Sequence, residues 1–371
     1  MNKRDQKIFA LLLGAFLFFY FMPLESVLFA GALLSGLELL NEYVREHILT
    51  CLLPAFFIAG AIATFVKKEF ILRFLGGGVK KYISYSVASI SGLFLAVCSC
   101  TILPIFAGIR QRGAGLGPAT TFLFSGPAIN VAAILLTTSV LGVKIGVGRI
   151  VASVILAVFV GISMHLIFRE KTEEGQLFMG ESRGVEVKKS VLFFFFLALL
   201  GFLVVNGLSI DEMVKYALMA LLVAVVVFIA VFKFKKESTL QWLTETWNFT
   251  KLLLPLLFVG VFIAGFVMPF VPEELVTSIV GNNSLLANFV ASIFGAFMYF
   301  STLTEIPILR ELIDKGMSDG PALALLLAGP SLSLPNMLVI RSVLGNKKTA
   351  VYVLLVIFYS TLAGLIFGYI L

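Results

Sequence analysis

The chain repeats itself at a fixed spacing, and few features constrain a fold more. Val87-Ala88-Ser89-Ile90 recurs 203 positions on as Val290-Ala291-Ser292-Ile293, and the same spacing carries Gly92 to Gly295, Thr101 to Thr304 and Pro104 to Pro307. It also relates Gly113 to Gly316, Gly117-Pro118-Ala119 to Gly320-Pro321-Ala322, Gly126-Pro127 to Gly329-Pro330, and Ser139-Val140-Leu141-Gly142 to Ser342-Val343-Leu344-Gly345. No gap is needed. So long a period is far beyond that of a solenoid or propeller blade, so the unit is a duplicated domain, a common plan among transporters.

Composition decides the solvent. The chain is 60% hydrophobic and 13% charged and holds 37 phenylalanines, whereas a water-facing surface needs about twice that charge. The expected fold is an all-α polytopic membrane protein. Apolar runs from residues 8–22 to 350–371 imply roughly nine to twelve membrane segments. The first run follows a basic start and lacks a small-residue cleavage site, so it reads as an anchor and not a signal peptide. The organisation expected is an N-terminal repeat over 1–168 with its core at 86–142, a polar cytoplasmic linker over 169–189, and a C-terminal repeat over 190–371 with its core at 289–345.

The net charge of +7 lies in connections, which argues for orientation in a membrane and against nucleic-acid binding. Lys67, Lys68, Arg73, Lys80 and Lys81 crowd the connection before the first core, whereas residues 270–283, before the second, hold Glu273 and Glu274 and no cation. Corresponding connections of opposite bias predict an inverted repeat with its axis in the membrane plane. Six apolar runs separate them, and an even number returns a chain to the same side, so one run must not cross. Residues 117–142, with the mate 320–345, are the candidate. The Gly126-Pro127 and Gly329-Pro330 breaks suggest half-helices that enter and leave on one side. Arg110, Arg112, Lys144 and Arg149 then fall on the outer side, against the positive-inside rule, and a kinked spanning helix is the competing reading. Ser125 and Asn130 flank the first break, and Ser331, Ser333, Pro335 and Asn336 the second. Helix-free backbone at membrane depth must be surrounded by protein or a water-filled cavity, so these polar residues are candidate substrate contacts.

A second break is expected at Cys98-Ser99-Cys100-Thr101-Ile102-Leu103-Pro104, matched by Ser301-Thr302-Leu303-Thr304-Glu305-Ile306-Pro307. Sulfurs two residues apart on an unbroken helix point about 200° apart. Pro104 would release the Cys100 carbonyl and open the backbone, turning both sulfurs toward one cavity beside Ser99 and Thr101; Pro307 stands at the matching place in the second copy. Thiolates select soft species such as trivalent arsenic, Cu(I) or Hg(II). Two thiols are too few for a closed structural zinc site, so any soft-metal contact at Cys98 and Cys100 would be transient and no cofactor is expected. Cys51 reads as a small buried hydrophobe. Glu305, where the first copy has Ile102, is a carboxylate at membrane depth that either serves a cavity or pairs with Arg310 or Lys315.

Val97-Cys98-Ser99-Cys100-Thr101, Leu103-Pro104, Gly117-Pro118-Ala119 and Ser125-Gly126-Pro127-Ala128-Ile129-Asn130 resemble the signature of the permease family that includes the ArsP-type organoarsenical efflux permeases. The resemblance covers most of the chain. It implies a multi-pass permease of the inner, cytoplasmic membrane, and its arsenical branch implies export of trivalent organoarsenicals through cysteine contacts. The expected partners are a small-molecule or ion substrate and the lipid bilayer, with a homo-oligomer or a small partner subunit compatible. No enzyme is expected. The chain has no G-x-x-x-x-G-K-[ST] loop to hold ATP phosphates. A membrane thiol-disulfide oxidoreductase cycling Cys98 and Cys100 is the alternative.

Overall fold

The computed structural model describes residues 16, 20, 26–66, 81–95, 99–129, 131–169, 188–207, 211–270, 279–297 and 305–370. They are helical almost throughout, with no strand among them. The first helix with described bounds is α1 (Val27–Tyr43), capped by the Ser26 hydroxyl, which passes through a π-helical stretch (Val44–Leu52) into α2 (Leu53–Phe65). Five helices of the first copy follow: α3 (Lys81–Leu95), α4 (Ser99–Gln111), α5 (Leu116–Ala128), α6 (Val131–Val140) and α7 (Val143–Ile167). Three long helices lead to the second copy: α8 (Lys189–Gly207), α9 (Glu212–Phe232) and α10 (Lys236–Val267). The last five are α11 (Leu285–Phe297), α12 (Glu305–Asp314), α13 (Asp319–Leu332), α14 (Leu334–Leu344) and α15 (Asn346–Ile370).

The spacing of the sequence repeat reappears in the backbone. α7 and α15 start and stop 203 positions apart, and α5 and α13 start so. Among the described residues, the four glycines in the positive-φ region are two such pairs, Gly113 with Gly316 and Gly142 with Gly345, at φ between 80° and 105°. A left-handed residue there ends one helix and re-aims the next, and glycine adopts it without steric cost. Small residues then set the spacing of the bundle. A Cβ on Gly117 would stand 2.9 Å from the Gly161 carbonyl, and one on Gly320 2.7 Å from that of Gly364. Backbone approach of this kind holds α5 against α7 and α13 against α15, because lipid supplies no hydrophobic force between helices and close packing must serve instead.

The two copies meet by exchange. α4 packs on α14 and α12 on α6, while α5 meets α13 and α7 meets α15. Such reciprocal contacts are those of a two-fold relation. Outside this junction, α8 and α9 expose Phe193, Phe194, Leu221, Val227, Phe228 and Phe232, a surface that suits acyl chains and not water. Trp242 packs against Phe57 and Phe195 and donates Nε1–H to the Phe57 carbonyl at 2.9 Å. Trp247 lies outside, 59% exposed.

Among the described residues, four helices, α7, α9, α10 and α15, are long and apolar enough to cross a bilayer, or six spans if each bent pair counts once. Three shorter apolar helices add to them: Leu53–Phe65, Ser190–Asn206 and Leu285–Phe297. The expectation of roughly nine to twelve segments rested on unbroken runs. Residues 96–98 of the run 86–109 and most of 8–22 lie outside the described residues.

Candidate functional site

The junction between the copies is built around one ion pair. α12 begins at Glu305, 1% exposed, and α7 brings Arg149, 0% exposed. Arg149 Nη2 donates to Glu305 Oε1 at 2.8 Å, Nη1 to Thr137 Oγ1 at 2.9 Å, and Nε to the Ala128 carbonyl at 3.3 Å. The guanidinium therefore ties three segments together: the end of α5, the middle of α6 and the start of α12. Ala128 is the last residue of α5, and its carbonyl is among those a helix end leaves without an internal partner. A buried charge is tolerated when it is paired and its remaining donors are satisfied, and Arg149 meets that condition. Arg310 and Lys315, the partners considered from sequence for Glu305, pair instead with Asp314 and Glu311 on the surface of α12.

The carboxylate is only half satisfied. Glu305 Oε2 is buried without a hydrogen-bond partner among the described residues, as are Ser331 Oγ, Ser333 Oγ and Asn336 Oδ1. The first faces Gly329, whose hypothetical Cβ would stand 3.7 Å from Oε2. Asn336 donates Nδ2–H to the Pro330 carbonyl at 3.4 Å. The break of the second copy thus carries several buried oxygens open to a donor, and a buried oxygen with no partner calls for an explanation. The positions related by the repeat differ. Ile102 stands where Glu305 would be and packs against Gly126, Tyr352 of the second copy stands where Arg149 would be, and Ala128 and Ala133 correspond to Ser331 and Asn336. Ser125 of the first bent pair donates to the carbonyls of Ala88 at 3.0 Å and Phe122 at 3.2 Å.

The helix breaks fall beside the residues named from sequence, not on them. Gly126 and Pro127 lie within α5, and Gly329 and Pro330 within α13. The chain leaves the helix at Ile129 (φ −109°, ψ 33°) and at Ser333 (φ 15°, ψ 147°). The pairs α5–α6 and α13–α14 are bent by 45° and 48°. Proline crowds the residue before it through that residue's Cβ, and glycine has none, so Gly-Pro can stay helical. The last turns close beyond it, Ile129 N–H on the Ser125 carbonyl at 2.9 Å and Ser333 N–H on that of Gly329 at 3.2 Å. Pro335 is the second residue of α14, where a missing N–H costs little, and Pro307 is the third described residue of α12. Pro104 lies inside α4, whose described residues Ser99–Gln111 stay helical through it, so the opening of the backbone expected at the Cys100 carbonyl is not found there.

Other named residues are placed as follows. Thr101, on α4, is fully buried. Cys98, Asn130 and Thr304 lie outside the described residues, and of Ser99 and Cys100 only the backbone is described. Arg149 was counted from sequence among outward-facing loop charges; it is wholly internal, and Arg112 is 9% exposed with Nε on the Ile62 carbonyl at 3.2 Å. The signal for Arg149 was present, an arginine within the apolar stretch of α7 where the other copy has Tyr352. A separate apolar cavity of about 390 Å³ opens between α2, α8, α9 and α10, lined by residues such as Leu53, Phe57, Phe202 and Val226. It shares no residue with the ion-pair junction.

A helical bundle with long apolar spans, bent pairs and a charged pair buried where two repeats meet is the build of a polytopic membrane transporter. Residues 33–369 match the predicted permease family of the ArsP type, and the chain belongs to that family. It is 43% identical over 343 residues to the UPF0718 protein MJ0584 of Methanocaldococcus jannaschii, covering 89% of this chain and 94% of that one. The UPF0718 protein YraQ of Escherichia coli is 21% identical over 293 residues, 78% of this chain and 68% of its own. No solved structure matches.

Proposed function

We propose that this permease is a secondary exporter of the cytoplasmic membrane, acting on a soft thiophilic or small polar solute, with trivalent organoarsenicals the candidate substrate. The observation that carries the reading is the junction at which two bent helix pairs meet around Arg149 and Glu305. Charged side chains at membrane depth that face a bundle interior mark substrate and ion pathways. Ser331, Ser333 and Asn336 supply uncommitted oxygens there, and in this reading the thiols of Cys98 and Cys100 are the soft contacts of the substrate, with the Ser99 and Thr101 hydroxyls as further contacts. The domain limits in this reading are 1–168 and 190–371 around a cytoplasmic linker, the second domain being the inverted copy of the first.

The test is protection and transport together. Purified protein is alkylated with a thiol reagent in the presence and absence of phenylarsine oxide, and uptake of the same compound is followed in everted vesicles. Protection of Cys98 and Cys100, with transport lost in Cys98→Ser and Cys100→Ser and kept in Cys51→Ser, supports the reading. Normal transport in both serine variants overturns the thiol site and leaves the oxygens of the second break as the candidate contacts. An oxidoreductase would instead need both sulfurs and would show a disulfide forming with turnover.

A further inference from the structure

We propose that Glu305 is the proton-binding site through which this permease couples transport to a proton gradient, resting on the permease reading above. The geometry is that of a carboxylate held in two unequal ways. Oε1 accepts from Arg149 at 2.8 Å, and Oε2 is buried beside Gly329 with no partner among the described residues. A proton added at Oε2 turns the ion pair into a neutral carboxylic acid beside a guanidinium. The bond to Arg149 weakens, because the Coulomb attraction of the ion pair is lost and only the guanidinium charge remains. Arg149 keeps Thr137 and the Ala128 carbonyl, both of the first copy. What loosens is the link to α12, of the second copy. The proton therefore acts at the place where the two copies exchange contacts, α12 on α6.

The surroundings favour a proton over a metal cation. A sodium ion at Oε2 would sit close to the Arg149 charge in a weakly screening interior, whereas a proton removes the carboxylate charge itself. Charged groups elsewhere do not compete. α12 packs on α6 and α13. α6 carries no ionisable side chain, and the one on α13 is Asp319, in its first turn and at the opposite end from Gly329. Arg310, Glu311 and Asp314 of α12 are exposed and paired on its surface. The position related to it by the repeat has no equivalent pair, since Ile102 of the first copy and Tyr352 of the second stand where Glu305 and Arg149 would be. One proton site per chain follows.

Two measurements on the full-length protein decide this, one of which needs no substrate. In reconstituted protein, infrared difference spectra between about pH 5 and about pH 9 should show a buried carboxylic C=O band that titrates and is lost in Glu305→Gln. A carboxylate that stays ionised across the range, or a band unchanged in the variant, overturns the proposal. In vesicles, a gradient of one pH unit should change steady-state phenylarsine oxide accumulation by up to about tenfold for one proton per substrate. Glu305→Gln should show no response to the gradient. Accumulation that follows a sodium gradient instead, or a variant that keeps the proton response, overturns it. If the wild type does not move phenylarsine oxide, the substrate reading fails while the infrared titration still decides the proton site. Should Glu305→Gln fold poorly, the double variant Glu305→Ile with Arg149→Tyr installs the residues that the other copy carries, and it must lose both the band and the gradient response.

Discussion

At the scale of single residues, the Arg149–Glu305 pair makes sharp demands. Both side chains are fully buried, so removing one partner leaves an uncompensated charge in a low-dielectric interior. Arg149→Met should lower stability by on the order of 3–5 kcal/mol, whereas the double variant Arg149→Tyr with Glu305→Ile should recover most of the loss, since a buried pair replaced by apolar groups is often near neutral. Thermal unfolding in detergent, run as a double-mutant cycle, reads the difference, and additive effects would show that the two groups do not depend on each other. The glycines facing this position in the two copies should behave unequally. A methyl on Gly126 runs into the Ile102 side chain, while one on Gly329 meets nothing nearer than 3.6 Å. Gly126→Ala should therefore cost about 1–3 kcal/mol, with Gly329→Ala well below it in the same assay. Glu305 stood out in the sequence because a carboxylate interrupted an apolar stretch. The pairing was not legible, because Arg149 lies 156 residues from Glu305 and reaches it only through the packing of α6 on α12, which local pattern does not encode.

At the scale of helices, the repeat spacing and the division at the Gly-Pro sites were legible, because glycine and proline act through local backbone sterics that any context must obey. The exact point of bending was not. It depends on where the last helical turn finds partners, and in both copies that turn closes past the proline, at Ile129 and Ser333. Close helix contacts follow the repeat more strictly than the bends do. A Cβ on Gly161 would lie 2.7 Å from the Gly117 carbonyl, and one on Gly364 2.6 Å from the Gly320 carbonyl. Backbone cannot yield as a flexible side chain does, so Gly161→Ala must part α5 from α7, and Gly364→Ala α13 from α15. Each should destabilise by about 1–3 kcal/mol and reduce the monodisperse fraction on size-exclusion chromatography. Gly31→Ala is the control, since nothing lies within 4 Å of its added methyl. Equal losses at all three glycines would mean that helix spacing is not set by these contacts.

For the whole molecule, the reciprocal packing of α4 on α14 and α12 on α6 calls for a two-fold axis but leaves two directions for it. An axis along the membrane normal keeps both copies in one orientation; an axis in the membrane plane inverts one of them. The connections before the two cores argue for inversion, five cations over 67–81 against none over 270–283, because cytoplasmic connections carry the excess of Lys and Arg. The cations that stood against a re-entrant first bent pair are fewer than the sequence suggested, since Arg149 is internal and Arg112 nearly so. If each bent pair enters and leaves on one side, the number of crossings between corresponding points of the two copies becomes odd, and the copies must be inverted. Gly115 and Ser318 are corresponding positions directly before α5 and α13, which makes them a matched pair of reporters. In a background with Cys51, Cys98 and Cys100 replaced by serine, Gly115→Cys and Ser318→Cys are each exposed to a membrane-impermeant thiol reagent on intact cells and after permeabilisation. Inversion predicts that one position labels on intact cells and the other only after permeabilisation. Labelling of both from the same side would place the axis along the membrane normal and make the bent pairs spanning helices.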